Sequence, residues 1–247
     1  MLQWFSSIIE AIDQAGLSGL FYNIFFFGGF VGLTIYNISV ARNYGLSILK
    51  AIILTVLVYA ASVGWMFVLF WIFTGRWGGN NIVRIFIWVP VFALPVAMLL
   101  KIKWLTACDF ISPCLCINHG IAHLGCIFAG CCHSFRWDNG VFNPQLHYKT
   151  FPIQPIEAIV AIFIAVFIAI REKRKNYQTD GLSIPIMLMM FGYSRFLLEF
   201  ARDNEKLFWN ISELALHALL AGIVGTVSYF IVKKYNQKKA ALAEPAM

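Results

Sequence analysis

The sequence predicts an all-α, polytopic integral membrane protein that crosses the bilayer about seven times, and three observations support this fold class. Of its 247 residues, 60% are hydrophobic and 13% are charged, whereas a soluble domain carries about a quarter charged residues. The apolar residues form separate runs of roughly 20 residues, the length that a helix needs to cross a hydrocarbon core about 30 Å thick. The net charge of +7 comes largely from Lys and Arg at the ends of these runs, which indicates membrane topology rather than nucleic-acid binding.

The first 20 residues predict an interfacial amphipathic helix, not a cleavable signal peptide. Glu10, Asp13 and Gln14 interrupt the apolar stretch, and no basic residue precedes it. Five apolar side chains would instead line one side of a helix: Trp4, Phe5, Ile8, Ile9 and Ile12. We therefore expect residues 1–20 to lie at the membrane surface, ahead of the first span.

Residues 21–232 are expected to form a single domain of seven membrane-spanning helices. The segments are Phe21–Ala41, Leu46–Phe73, Ile82–Leu100, Trp104–Cys132, Ile153–Ile170, Gly181–Phe200 and Ile211–Val232. The fourth segment is interrupted by Asp109, Pro113 and two histidines, so we expect an irregular span. Irregular backbone inside a bilayer has to be covered by protein or water, which places this segment within the bundle.

The distribution of basic residues predicts that the N-terminus lies outside and the C-terminus in the cytoplasm. With this orientation the inner loops carry the larger share of Lys and Arg, as the positive-inside rule requires. The clusters Arg171–Lys175 and Lys233–Lys239 contribute most of the difference. Residues 233–247 are accordingly predicted to be a basic cytoplasmic tail.

The fourth segment contains the most unusual side chains of the chain. All six cysteines occur between residues 108 and 132: Cys108, Cys114, Cys116, Cys126, Cys131 and Cys132. On a helix, steps of three and four place five polar or sulfur-containing side chains on one face: Ser112, Cys116, His119, His123 and Cys126. Buried cysteines often pack as small apolar side chains, but two histidines on the same face favour a functional surface.

A soft metal ion such as Zn²⁺ or Cu⁺ would suit this mixture of Cys and His. The sequence contains no C-x-x-C pair, however, and it therefore predicts neither a metal site nor another cofactor. A disulfide that involves Cys131 or Cys132 stays open if these residues face an oxidising exterior.

The end of the sixth segment carries charged residues at helical spacing. Arg195 and Glu199 are one turn apart and can pair, and Arg202 follows three residues after Glu199. These residues could form a salt-bridged helix end. We favour a second interpretation, in which Arg195 and Arg202 leave a net positive charge that recognises the phosphate of a lipid headgroup.

Polar side chains also mark the start of the fifth segment. Pro152 and Pro155 favour the first turn of a helix, and Gln154 and Glu157 lie three residues apart on one face of it. Glu157 is expected to orient a neighbouring Arg or His. A further pair, Glu213 and His217 on the last span, is interpreted as structural.

Four segments, in chain order, resemble motifs of the prolipoprotein diacylglyceryl transferase family. Asp109–Pro113 resembles D-F-x-[AS]-P, and Ala122–Cys131 is similar to the signature G-R-x-G-N-F-x-N-G-E. The other two motifs are H-P-x-Q-x-Y-E, matched by Pro152, Gln154 and Glu157, and G-x-x-R-x-x-x-E-x-x-R, matched by Gly192, Arg195, Glu199 and Arg202. The sequence A-G-C-C-H at 129–133 resembles a cysteine-rich branch of this family.

The chain departs from the family pattern at several positions. The signature Arg is His123, its first Asn is Cys126, and its acidic residue is Cys131. The family's H-G-G motif would fall near Val83–Trp88, but Ile82–Leu100 contains no His.

The resemblance implies a seven-span fold in the bacterial cytoplasmic (inner) membrane that transfers a diacylglyceryl group from phosphatidylglycerol to a thiol acceptor, such as a lipoprotein. It implies that substrate binding involves Arg195, Arg202, Glu199, Gln154, Glu157 and Cys126. His123 or His119 would serve as the general base, because imidazole titrates near neutral pH. An alternative is a non-transferase that binds lipid, a soft metal or a thiol partner through the fourth span. No nucleic-acid partner is expected.

Overall fold

Eight α-helices and two pairs of short β-strands make up the computed structural model, which describes residues 2–75, 82–208 and 211–243. The helices are α1 (Leu2–Gln14), α2 (Ser18–Ala41), α3 (Ile48–Thr74), α4 (Ile82–Leu100), α5 (Trp104–Ala129), α6 (Ile153–Arg174), α7 (Ser183–Glu199) and α8 (Glu213–Ala243). The strands are β1 (Arg136–Asn143), β2 (Tyr148–Thr150), β3 (Lys206–Phe208) and β4 (Ile211–Ser212).

Helices α2 to α8 follow the seven predicted segments closely. Within the described residues, five helices are long and apolar enough to cross a membrane, namely α2, α3, α5, α6 and α8. The apolar part of α4, Ile85–Leu100, is shorter, and α7 has 17 residues. The chain is therefore a multi-pass membrane protein, whereas the count of seven spans stays a prediction.

The described residues are mostly helical, as the all-α class predicts, and two short strand pairs lie in the connecting segments. β1 pairs with β2 in antiparallel register, with Val141 opposite Thr150 and Asn143 opposite Tyr148. The Asn143 side chain closes the connecting turn, because its Oδ1 accepts hydrogen bonds from the backbone N–H groups of Gln145 and Leu146, both at 3.0 Å. Asn commonly stabilises turns in this way, and hydropathy alone does not reveal such a short hairpin.

Helix α1 packs beneath the β1–β2 hairpin. Ile9 is fully buried against Ile127, Phe128 and Val141, and the Ser6 hydroxyl accepts a hydrogen bond from the Phe142 backbone N–H at 2.9 Å. Whether this helix lies at the membrane surface stays a prediction.

Helix α5 is the centre of the bundle and contacts α2, α4, α6 and α7. It is buried over most of its length and continues as an α-helix through Pro113, so the expectation of an irregular fourth span is wrong. Neighbouring helices surround the proline and exclude lipid from the backbone that it leaves unpaired, which makes a proline tolerable inside a membrane helix.

The Asp109 carboxylate fixes the first turns of α5 to the turn between α6 and α7. It is fully buried and accepts hydrogen bonds from the backbone N–H groups of Gly181 at 2.8 Å and Ser183 at 3.0 Å. In the same turn, burial opposes ionisation of Asp180, but hydrogen bonds from Arg171 and Lys175 outweigh it and hold the pKa of Asp180 below its usual range. The D-F-x-[AS]-P segment is thus anchored at the end of α5 opposite to Ala129.

Helices α7 and α8 approach each other at backbone distance through glycines. A Cβ atom added to Gly192 would lie 2.7 Å from the Gly222 Cα and closer still to the Gly222 N. Small residues allow this kind of close packing between membrane helices. Since Arg195 and Glu199 are one and two turns beyond Gly192 on α7, this contact also sets where their side chains lie.

Helix α8 continues past Val232 to Ala243. Most of the predicted basic tail therefore extends this helix, and residues 244–247 lie outside the described part of the chain. The cytoplasmic location of the segment stays a prediction.

Candidate functional site

The Glu157 carboxylate is the meeting point of three helical segments. It is buried in the first turns of α6 and contacts His123 of α5, Arg195 of α7 and Arg202, which follows α7. Arg202 Nε donates a hydrogen bond to Glu157 Oε1 at 3.2 Å. The structure thus brings together four residues that the sequence placed on three separate segments.

Glu199 provides a second buried carboxylate. Its Oε2 lies 3.2 Å from Arg195 Nη2 and 3.7 Å from Arg202 Nε, and its Oε1 accepts hydrogen bonds from Asn204 and from Ser212 Oγ at 3.0 Å. The expected pairing of Arg195 with Glu199 is confirmed. Asn204 and Ser212 were not predicted, because nothing in their local sequence distinguishes them from other polar loop residues.

The expectation of a leftover positive charge at the two arginines is wrong. Glu199 is the acid on the same helix as Arg195, and Glu157 of α6 supplies a second one. The guanidinium groups of Arg195 and Arg202 therefore face two carboxylates. The formal charges of these four groups cancel, which lowers the cost of burying them in a bilayer.

His119 and His123 lie on one face of α5, with ring centroids 4.9 Å apart. His123 Nε2 lies 3.2 Å from Arg202 Nη2 and also contacts Glu157. The His119 ring packs edge-on against Phe191, with centroids 5.1 Å apart, and against Phe86 at 6.2 Å. The structure therefore places both histidines beside the Glu157 carboxylate, and their catalytic role stays a prediction.

A small cleft opens between α5, α6 and α7 at these residues. Its interior volume is only about 10 Å³, close to the space of one water molecule, and its lining combines polar and apolar side chains: His119, Glu157, Val160, Phe191, Ser194, Arg195 and Leu198. Among the described residues, neither His119 Nε2 nor Arg195 Nε has a hydrogen-bond partner, although both atoms are buried. Buried polar atoms are normally paired, so these two nitrogens are available to a polar group that enters through the mouth of the cleft.

Gln154 does not line this cleft. Its Nε2 donates a hydrogen bond to the Cys131 carbonyl at 3.0 Å, so it supports the loop after α5. A direct role of Gln154 in substrate binding stays a prediction.

Cys126 joins a group of three thiols at the end of α5. The sulfur atoms of Cys126, Cys131 and Cys132 all lie within 4.8 Å of one another. This cluster was not predicted, because the spacing of Cys126 from the other two cysteines in the sequence differs from that of common metal-ligand pairs. Gly130, which lets the chain turn back after α5, is the feature of the sequence that could have indicated it.

The remaining residues singled out in the sequence lie outside the Glu157 cluster and the group of three thiols. Cys108, Cys114 and Cys116 are buried in the core along α5. Glu213 and His217 lie on the first turns of α8, with 3.9 Å between His217 Nδ1 and Glu213 Oε1, and both side chains are partly exposed.

A buried group of two glutamates, two arginines and two histidines within a helical bundle defines a membrane-embedded polar site. In membrane proteins such groups mark binding or reaction sites, because they are costly without a function. The model of the prolipoprotein diacylglyceryl transferase family matches residues 53–232, a range that contains all these residues. The chain belongs to this family.

One curated protein to which the chain is similar is the phosphatidylglycerol–prolipoprotein diacylglyceryl transferase 2 of Clostridium perfringens (strain 13 / Type A). The two are 23% identical over 155 residues, which cover 60% of each chain. The match thus spans less than two thirds of that relative. These comparisons support a membrane transferase family of lipoprotein biosynthesis and do not favour the non-transferase alternative.

Proposed function

We propose that this protein transfers a diacylglyceryl group from phosphatidylglycerol to a thiol acceptor at the outer face of the bacterial cytoplasmic membrane. The observation that carries this proposal is the pair of unpartnered buried nitrogens, Arg195 Nε and His119 Nε2, in one cleft. The name of the Clostridium relative supplies the substrate classes, phosphatidylglycerol and prolipoprotein.

The phosphate of the donor lipid would bind at Arg195. Its Nη atoms are held by Glu157 and Glu199, which fixes the plane of the guanidinium and leaves Nε to donate to a phosphate oxygen. A neutral His119 with its proton on Nε2 would donate to a second oxygen. Val160, Phe191 and Leu198 in the lining offer apolar surface for the first carbons of the acyl chains.

His123 is proposed as the general base. Its ring contacts the Glu157 carboxylate, an arrangement in which an acid orients an imidazole and stabilises its protonated form. The acceptor thiol would lose its proton to His123, and the thiolate would attack the glycerol carbon that is esterified to phosphate. The carbon–oxygen bond breaks, and glycerol phosphate leaves with the electron pair.

We also propose that α2 to α8 each cross the membrane, with the N-terminus outside and the C-terminus in the cytoplasm. A reporter fused after Met247 should then behave as cytoplasmic, and one inserted at Asn139 in β1 as external. This orientation places the Glu157 cluster at the outer leaflet. An Asn139 reporter on the cytoplasmic side would contradict it.

Arg195→Ala is expected to lower transfer of a labelled diacylglyceryl group from phosphatidylglycerol to a lipobox peptide by about 100-fold or more, because preorganised charged contacts contribute on this scale. Arg195→Lys keeps the charge but loses the planar donor geometry and should retain part of the lipid that co-purifies. The readouts are the transfer rate and the phosphatidylglycerol content by mass spectrometry.

Arg136→Ala is the matched control, since the Arg136 side chain is 72% exposed and is predicted to lie on the same side of the membrane as Arg195. It should behave as wild type. If a folded Arg195→Ala variant keeps the wild-type lipid content and rate, Arg195 is part of a structural ion pair and the proposal fails.

A further inference from the structure

Three thiols converge at one point beside the proposed reaction site. Cys126 lies in the last turn of α5, and Cys131 and Cys132 follow Gly130 in the next loop. Their sulfur atoms lie within 4.8 Å of one another. In the described part of the chain, the other three cysteines do not join such a group with any His, Asp or Glu.

The loop is held in an unusual backbone conformation that gathers these thiols. Gly130 has φ of 68° and Cys132 has φ of 58°, and the left-handed region is unfavourable for a residue with a Cβ. Two side chains fix successive carbonyls: Asn143 Nδ2 donates to Gly130 O at 2.9 Å, and Gln154 Nε2 donates to Cys131 O at 3.0 Å. Strain of this kind persists only where the surroundings impose it, and it is concentrated at functional sites.

The loop is also tied to the Glu157 cluster. Ser134 forms an isolated antiparallel bridge with Arg202, and the Asp203 backbone N–H donates to His133 O at 3.4 Å. Since Arg202 binds Glu157 directly, the thiols and the charged cluster belong to one assembly.

The sulfur geometry fits a metal ion. Thiolates bound to one tetrahedral zinc at about 2.3 Å lie about 3.8 Å from each other, and the three sulfur atoms already lie within 4.8 Å of one another. Three thiolates select a soft ion. Structural zinc sites have four protein ligands, whereas sites with three keep a position open for a reacting group.

We propose that Cys126, Cys131 and Cys132 bind one thiophilic closed-shell metal ion, Zn²⁺ or Cu⁺, whose open position takes the acceptor thiol of the proposed transferase reaction. The second half of this inference rests on the proposed function. Coordination removes the thiol proton, which passes to His123. The metal-bound sulfur then forms a bond to the glycerol carbon that is esterified to phosphate. The carbon–oxygen bond breaks, and glycerol phosphate leaves with the electron pair. The metal ion keeps its oxidation state throughout.

This assignment gives a physical reason for two departures from the family signature. Cys126 and Cys131 stand where the signature motif has Asn and an acidic residue. Thiolates at these positions would replace part of the acid–base function by metal activation of the acceptor.

The test begins with metal content, which does not depend on activity. Full-length protein purified under reducing conditions is loaded with Zn²⁺ or Cu⁺, desalted and measured by elemental analysis. We expect about one ion per chain in the wild type, and less than about a tenth of that in Cys126→Ser, Cys131→Ser and Cys132→Ser, because a missing thiolate removes most of the affinity. The ion retained at equal loading identifies the metal, and Co²⁺ substitution should give a thiolate charge-transfer band.

Cys108→Ser is the matched control, since Cys108 is a buried thiol of the same helix outside the cluster, and it should keep the metal. Failure of the reduced wild type to bind either ion, or equal loss in Cys108→Ser, would overturn the site. Arg195→Ala should bind metal normally, so loss of transfer in that variant with intact metal content separates the lipid site from the metal site. If the Cys126→Ser, Cys131→Ser and Cys132→Ser variants lack metal yet transfer at the wild-type rate, the metal has no role in activating the acceptor thiol.

Discussion

Glu157→Gln is expected to abolish transfer and to destabilise the protein by about 3–5 kcal/mol, the usual effect of removing one partner from a buried ion pair. Both arginines that contact Glu157 are buried, and Glu199 alone cannot neutralise them. The neutral amide would also stop orienting His123. The transfer rate and the thermal unfolding midpoint in detergent measure the two effects.

Asp138→Asn provides the control for this substitution. The Asp138 side chain is 92% exposed and its loss of charge should change neither quantity. An unchanged transfer rate in Glu157→Gln would show that Glu157 only neutralises the buried arginines and has no role in catalysis. His123 would then need another orienting group.

Gly192→Ala is expected to lower the unfolding midpoint, and Gly192→Val to lower it further or prevent folding. The added Cβ would meet the backbone of Gly222, which cannot rotate away as a side chain could. Overpacking of this kind costs about 1–3 kcal/mol even where side chains can adjust. Because the displacement moves Arg195, the co-purifying phosphatidylglycerol should fall in the same variant.

Gly64→Ala separates this clash from the general effect of a helical glycine. A Cβ at Gly64 in α3 would meet no atom of the described residues within 4 Å, so alanine there should be neutral or slightly stabilising, as helix propensity predicts. Equal destabilisation by both substitutions would contradict close packing at Gly192 as the cause.

The sequence is informative about features that depend on local spacing. Apolar runs predict the positions of α2 to α8, helical periodicity predicts that His119 and His123 share a face, and a separation of four predicts the pairing of Arg195 with Glu199. Each of these features depends on the geometry of a single helix.

Most contacts between helices cannot be read from the sequence. Glu157 was expected to orient a neighbouring Arg or His, and the structure shows this contact with His123, Arg195 and Arg202, but the position of each partner was not predicted. Arg202 and Glu157 are distant in the chain, and their ion pair depends on how α6 and α7 cross. Because the position of Glu157 was unknown, the sequence did not reveal that the charges of the two arginines are neutralised. The thiol cluster likewise depends on the left-handed conformation of Cys132, which no local pattern predicts.

The packing of α1 links the N-terminal segment to the loop that carries the proposed metal ligands. Ser6 holds the backbone of Phe142 in β1, and the next residue, Asn143, holds the carbonyl of Gly130, directly before Cys131. The thiol loop is thus supported by a relay that begins within the first ten residues of the chain. Consequently, a large group attached close to Ser6 should loosen a site far away in sequence, whereas the same group beyond Ala243 would leave that relay intact.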